Sequence, residues 1–262
     1  MSISNEKLAY LKKLRVEKIV VIGCRILLLV LCLGIWEVLA RLGIINTFTF
    51  SSPSQVWHTL VSLINDGSLF KHLWVTLYEV LLSFFLASGI GLAVATLLWR
   101  SKILAKIIEP YLTVLNSLPK VALGPLIIIW VGASINSIIF MSLLISTFIT
   151  IINIYNGFSS TDKTYITLME SFQATKRQIF MKVIFPSNLE NIISALKINI
   201  SMNLIGVIMG ELLVSKEGIG YLIMYGSQVF NIDLVITGVF VLGIISYLMY
   251  FVIDRLEKIV SK

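Results

Sequence analysis

The sequence predicts an all-α membrane protein with six transmembrane helices, and three observations predict it. Hydrophobic residues make up 57% of the 262 positions and the mean hydropathy is +0.94, which excludes an ordinary globular surface. Six apolar stretches, 19–40, 76–99, 112–131, 135–155, 192–214 and 234–253, each reach the length of about 20 residues that a helix needs to cross a bilayer. The basic residues are asymmetric. Lys7, Lys12, Lys13, Arg15, Lys18, Arg100, Lys102, Lys106, Lys163, Lys176, Arg177, Lys182, Arg255 and Lys258 fall on one side of that layout, and only Arg41, Lys71 and Lys216 on the other. The positive-inside rule then puts both termini and the segment 161–186 in the cytoplasm. The net charge of +7 follows from the same asymmetry, and because the basic residues are scattered over loops no nucleic-acid partner is expected.

Residues 1–18 read as a cytoplasmic tail, and 19–262 as a single transmembrane domain. The basic tail runs into a long apolar stretch with no small-residue cleavage site, the pattern of an uncleaved first span. Cys24 and Cys32 both lie in that span and are read as apolar packing residues without a disulfide framework. Next, Ser51 or Ser52 caps and Pro53 opens a helix with Val56, Leu60 and Leu63 on one face and Trp57 and His58 beside them. It is too polar to cross and is placed on the outer membrane surface. His58 and His72 are interfacial polar residues, with no partners for a metal site.

The second span carries Ala87, Ser88, Gly89, Gly91, Ala93 and Ala95, small faces for close helix packing, with Glu79 towards its outer end. The third is interrupted by Pro119, Gly124 and Pro125. Breaks at membrane depth persist where protein or a water-filled cavity satisfies the freed carbonyls, so 116–125 is either a bent, pathway-facing element or a plain kink. The fourth span bears Ser142, Ser146, Thr150 and Asn153 on one helical face, read as helix-to-helix packing. In the fifth, Asn199, Asn203, Gly206 and Gly210 share a face. Two amides are costly to hide in an apolar span, which points to the translocation pathway or a subunit seam. Glu211 follows at its outer end, where it needs a partner such as Lys216 or a basic residue of a docking protein, or else is a solvated helix end. Gly218 and Gly220 flank Ile219 in a turn signal.

The segment 161–186 is too charged for hydrocarbon yet patterned like folded structure. Thr161 or Asp162 can cap a helix whose Tyr165, Met169 and Phe172 form one apolar stripe. A second start signal stands at Thr175, with Ile179, Phe180 and Val183 as its apolar face, and Pro186 closes the unit. The spacing predicts helix, tight turn, helix.

The string ATKRQIFMKVIFP in this segment resembles the second half of the cytoplasmic EAA loop of ABC importer permeases, and the flanks agree. SLPKVALGPLIIIWVG and GELLVSKEGIG are similar to the subfamily that imports sulfonates, taurine, nitrate and related solutes, and the likeness runs from about Trp36 to Leu256. It implies a type I importer permease fold and a coupling loop at 157–191 that docks on a separate ATPase subunit. Tyr165, Met169, Glu170, Phe172, Gln173, Ala174, Thr175, Ile179 and Pro186 would form the coupling element. It further implies that the fifth span lines the channel and that the turn at Gly218 and Gly220 is an outer gate loop; the broken segment adds Pro119 and Pro125 as pathway candidates, and Glu211 stands beside the loop as a candidate receptor contact. The implied partners are a second copy of the permease, ABC ATPase subunits and an extracytoplasmic binding protein, in the cell membrane. No cofactor is expected on this chain, ATP being bound by the partner. Counting back from Pro186, the family Glu falls at Thr167, its two Ala at Leu168 and Met169, and its Gly at Gln173, while Glu170 lies three residues later than the family Glu. Glu79 stands where the subfamily commonly carries an Arg, which reverses a charge near the outer mouth.

No catalytic set emerges: no GxxxxGK[ST], no HExxH and no CxxC, so an enzyme is disfavoured. The alternative transport reading is a self-contained secondary transporter. Against it, Arg25, Glu37 and Lys197 sit near span ends and no half repeats in the other. The expected role is therefore the permease subunit of an ATP-driven importer for a small solute such as a sulfonate, taurine, nitrate or a vitamin precursor.

Overall fold

The computed structural model describes residues 5–260, and the described residues form helices joined by short turns. In chain order these are α1 (Asn5–Arg41), α2 (Thr47–Phe50), α3 (Pro53–Asn65), α4 (Ser68–Arg100), α5 (Lys102–Ser117), α6 (Gly124–Val131) and α7 (Ile135–Ser159). They continue as α8 (Lys163–Ser171), α9 (Lys176–Ile179), α10 (Phe185–Ser187), α11 (Leu189–Val214), α12 (Ile219–Gln228) and α13 (Ile232–Val260). Among the described residues five helices are long and apolar enough to cross a membrane. The pair α5 and α6, bent by 83° at its break, brings the number to six.

Helix α7 is the axis of the bundle, with α4 packed along one side and α11 along the other. Small residues set that spacing. A Cβ on Gly91 would come 2.6 Å from Thr150 Cγ2, and one on Gly206 would come 2.5 Å from Ser142 Cα. Close backbone approach of this kind is how apolar helices associate when lipid offers no hydrophobic driving force. Helices α12 and α13 pack on the far side of α11, where Val80, Ile138, Val207, Ile219, Val241 and Ile245 make the main core. By contrast, α1 shows its apolar length outward from Val16 onward, with Cys24 and Cys32 exposed on it rather than packed inside the protomer. It is tied to the rest near its end, where Glu37 accepts from the Ser54 backbone N–H (3.1 Å) and Trp36 stacks on Phe240.

The third span differs from its expected bounds. Its first helix starts at Lys102, ten residues before position 112, and ends at Ser117, with Leu118 as its C-cap and Pro119 lacking the N–H to continue the ladder. The chain makes one 3₁₀ turn (Lys120–Leu123) before α6. The Asn116 carbonyl left open by the break accepts from Lys120 Nζ at 3.0 Å, so a cation satisfies the freed acceptor.

Candidate functional site

Two ends of the bundle carry the residues singled out by the sequence. At one end the hairpin after α7 forms as predicted, by local hydrogen bonding. Asp162 Oδ1 accepts from the Thr164 N–H (2.8 Å) and caps α8. That bond holds the Asp162 carboxyl below its usual range. Thr175 and Gln178 form a reciprocal capping box, Gln178 N–H to Thr175 Oγ1 (3.3 Å) and Thr175 N–H to Gln178 Oε1 (2.7 Å). Between the two helices Gln173 takes φ +56°, and the Ala174 N–H reaches back to the Met169 carbonyl. The turn therefore keeps the left-handed conformation that a Gly would adopt freely, at a strain of roughly 1 kcal/mol.

The hairpin's faces are divided differently from the predicted stripe. Ile166 and Met169 pack inward with Ala174, Phe180 and Val183 against Ile154 and Phe158, whereas Tyr165, Leu168 and Phe172 point away, Phe172 being 75% exposed. Ile179 is 4% exposed and anchors the base, so it is a support and not a free contact residue. Glu170 and Thr175 lie on the surface, and the helix does not stop at Pro186: a π turn over Phe180–Ile184 leads into α10, which contains it. The chain turns at Asn188, a residue that sequence reasoning passed over. Its Nδ2 donates to Thr161 Oγ1 (2.7 Å) and to the Ile184 carbonyl (2.8 Å), stapling the hairpin's two ends together. The run Pro186-Ser187-Asn188 carries a turn signal, but it does not say which partners the Asn188 amide takes.

In mid-bundle the polar stripes of spans four and five meet each other. Ser142 Oγ donates to Asn203 Oδ1 (2.7 Å), as does Ser146 Oγ (3.2 Å), and Asn203 Nδ2 donates to the Asn199 carbonyl (2.9 Å). Asn199 Nδ2 also reaches Ser88 Oγ on α4 (3.3 Å). Both asparagines are 0% exposed, and Gly206 and Gly210 admit the α7 backbone at Ser142 and Ile138. The expected wall of an aqueous path is thus a helix-to-helix seam inside the protomer, because these amides find hydroxyl partners that water would otherwise supply. Of the predicted pathway residues, Pro119 and Pro125 stand at the bend, beside the exposed apolar side chains of Leu118, Val121 and Leu126.

At the opposite end Glu211 is 1% exposed and neither solvated nor paired with Lys216. Its Oε1 accepts from Thr76 Oγ1 (2.7 Å) and its Oε2 from the Gly220 N–H (2.6 Å). Thr76 Oγ1 in turn accepts from the Ile219 N–H (2.8 Å), and His72 Nδ1 accepts from the Gly218 N–H (3.0 Å). Three successive amides at the start of α12 are thereby satisfied by side chains of α4 and α11. The two glycines have distinct reasons. Gly218 has φ +107°, and a Cβ at Gly220 would stand 2.8 Å from Glu211 Cβ. At the rim Lys71 and Glu217 pair at 2.6 Å, and this cation holds the exposed Glu217 carboxyl below its usual range. Glu79, one turn beyond Thr76 on α4, is 2% exposed and lies within hydrogen-bonding reach of Glu211, so the reversed charge is buried and absent from the mouth.

Residues 87–262 match the family model described as binding-protein-dependent transport system inner membrane component. The chain is 33% identical over 224 residues to the Probable ABC transporter permease protein of Haemophilus influenzae, covering 86% of this chain and 91% of that one. It is 30% identical over 225 residues to the formylaminopyrimidine transport permease protein ThiX of Halalkalibacterium halodurans, covering 86% and 89%. Against the taurine transport system permease protein TauC of Escherichia coli the identity is 25% over 235 residues, covering 88% and 86%. A solved structure of the MetNI methionine ABC transporter in an inward-facing conformation matches with a TM-score of 0.66 at 22% identity, over 73% of this chain and 95% of that one.

Proposed function

This chain belongs to the family of binding-protein-dependent transport system inner membrane components, and from that premise we propose how its parts divide the work. It is the permease subunit of an ABC importer and a multi-pass protein of the cell membrane. In our reading the hairpin faces the cytoplasm, which the lysine and arginine asymmetry supports, and both termini lie on that side. The observation that carries the docking reading is the outward patch of Tyr165, Leu168 and Phe172 on a rod whose base is buried through Ile166, Met169 and Ile179. Exposed aromatics on a rigid, capped element fit a cleft in another protein, here an ATPase subunit that binds and hydrolyses ATP. The chain itself then does no catalysis and binds no nucleotide. Two ATPase subunits closing on ATP drive two hairpins as levers, and two copies of the permease enclose the path. The bent segment around Pro119 and Pro125 faces that path, and the outer loop at Gly218–Gly220 meets an extracytoplasmic binding protein.

For cargo we propose a small polar solute of the kind its relatives name, a sulfonate such as taurine or a formylaminopyrimidine, with selection resting mainly on the binding protein. The docking test is co-purification of the ATPase with Phe172→Asp. The variant is expected to insert and remain as stable as the parent while its affinity for the ATPase falls by about tenfold or more. Ile179→Asp, in contrast, is expected to lose the hairpin itself. Undiminished co-purification with Phe172→Asp would overturn the docking role. Labelling of a single thiol placed at Lys176, in a Cys24→Ser, Cys32→Ser background, tests sidedness. Reaction with an impermeant reagent in intact cells would reverse the orientation.

A further inference from the structure

The transport reading leaves one group without work: Glu79. Its carboxyl and that of Glu211 sit together in the bundle at 2% and 1% exposure, on neighbouring helices. Glu211 is held as an acceptor, with Thr76 Oγ1 on one oxygen and the Gly220 N–H on the other. On the Glu79 side, Oε2 has no hydrogen-bond partner, and neither does the buried Ser83 Oγ one turn further along α4. Two ionised carboxylates within hydrogen-bonding reach of each other do not coexist away from water, so a positive charge must enter the pair.

The surrounding elements supply none. On α4, Lys71 is engaged at the rim by Glu217, and His72 uses Nδ1 as an acceptor for the Gly218 N–H, which leaves it no donor on that side. On α12, Tyr221 stacks on His72, and the loop before it carries Lys216 on the surface. Helix α7 contains no charged residue, and the charged residues of α13, Asp233 and Asp254 to Lys258, lie at its two ends. Among the described residues no group of three or more His, Cys, Asp or Glu side chains is arranged to hold a metal ion. The smallest cation fits what remains.

We propose that Glu79 and Glu211 form an occluded binding site for a single proton, with Glu79 as the acid that donates to Glu211, and that this proton latches the Gly218–Gly220 loop shut. While it is present, Glu211 keeps its hold on the Gly220 N–H and α4 stays against α11. Without it, two like charges push those helices apart, and the loop that both helices anchor through His72, Thr76 and Glu211 is released. The latched state binds one proton more than the released state. Its population therefore rises as external pH falls and declines as external pH rises, by up to about tenfold in ratio per pH unit for one linked proton. The external side of this loop is taken from the functional reading above, whereas the latch itself rests on the pair's geometry.

The experiment uses the full-length permease in membranes, in the Cys24→Ser, Cys32→Ser background, with a reporter thiol at Ile219, which is fully buried when the loop is seated. The labelling rate by an impermeant maleimide is followed across a pH series. It is divided at each pH by the rate for the same protein carrying Glu79→Gln, which cancels the thiol's own pH dependence. A glutamine amide donates the same hydrogen bond but does not titrate. The ratio is expected to climb with pH, and Glu79→Gln is expected to keep the loop protected throughout, with unchanged abundance and thermal stability. A ratio that stays flat, or a Glu79→Gln protein as reactive as Glu79→Ala, overturns the latch. Replacing sodium by choline at fixed pH is expected to change nothing, and protection that requires sodium would assign the site to a metal cation and overturn the proton. Because the readout needs neither ATPase nor cargo, its outcome is separable from the importer reading. Reaction only from the cytoplasmic side would overturn the orientation and leave the latch standing.

Discussion

The hairpin at 161–188 and the loop at 215–220 are both tied down by hydrogen bonds at helix starts, but their bonds span very different distances along the chain. In the hairpin the caps join Asp162 to Thr164 and Thr175 to Gln178, two and three residues apart. In the loop, Thr76 bonds Glu211 across 135 positions, and the Gly218 N–H bonds His72 across 146. An element capped within itself and seated by its apolar base on the ends of α7 and α11 moves with them as one piece, which suits a lever that must transmit movement. An element held by side chains from two other helices moves when those helices part, which suits a gate. The chemistry follows the same division: the hairpin turns aromatic side chains outward, and the loop closes over buried carboxyls.

Breaking the long-range side of this contrast should have the largest effect. Glu211→Ala leaves Thr76 Oγ1 and the Gly220 N–H without their acceptor in a buried site. The expected loss is about 3 kcal/mol, read as a lowered unfolding temperature in detergent, with the loop labelled faster than in the parent. An unchanged melting temperature would mean that the loop does not depend on Glu211. Asn203→Leu is next, at about 1–2 kcal/mol, since Ser142 and Ser146 each retain another acceptor. If it melts like the parent yet transports differently, the stripe belongs to the pathway after all.

The short-range side predicts smaller, local responses. The Asp162 carboxyl is held below its ordinary range, so its cap stabilises α8 fully at and above that range and is lost only as pH falls through the depressed value. The protection of the Thr164 amide, its exchange rate taken relative to the intrinsic rate at each pH, should fall at acid pH, and Asp162→Asn should remove the dependence. Gln173→Gly relieves the positive φ and should stabilise the hairpin by roughly 0.5–1 kcal/mol, net of the entropy a glycine adds to the unfolded chain. A destabilised hairpin would show that the Gln173 side chain earns its place by a contact.

What could be read in advance tracks this division. The caps at Asp162 and Thr175 and the turn between them were legible because each signal lies within one helical turn. The stripe of Tyr165, Met169 and Phe172 was legible as apolar, but which members turn inward was not, since a short amphipathic helix has apolar residues on both flanks of its inward face. The Asn199 and Asn203 stripe is legible as a face, yet its meaning depends on whether water or another helix stands opposite, and the spacing of Ser142 and Ser146 along their own helix does not say that they face it.

Composition, span length and charge asymmetry by themselves determined that this is a six-span helical membrane protein with a polar hairpin outside the bilayer, because solvation of charge and hydrocarbon depends on residue type and local order alone. Only the tertiary structure decided that Glu211 and the glycines beyond it form one unit with Thr76 and His72, that Glu79 lies buried against Glu211, and that the amide stripe is a seam. Those facts rest on which helices lie side by side, a pairing set by small residues such as Gly91 and Gly206 that match surfaces remote in sequence and carry no label naming their partner.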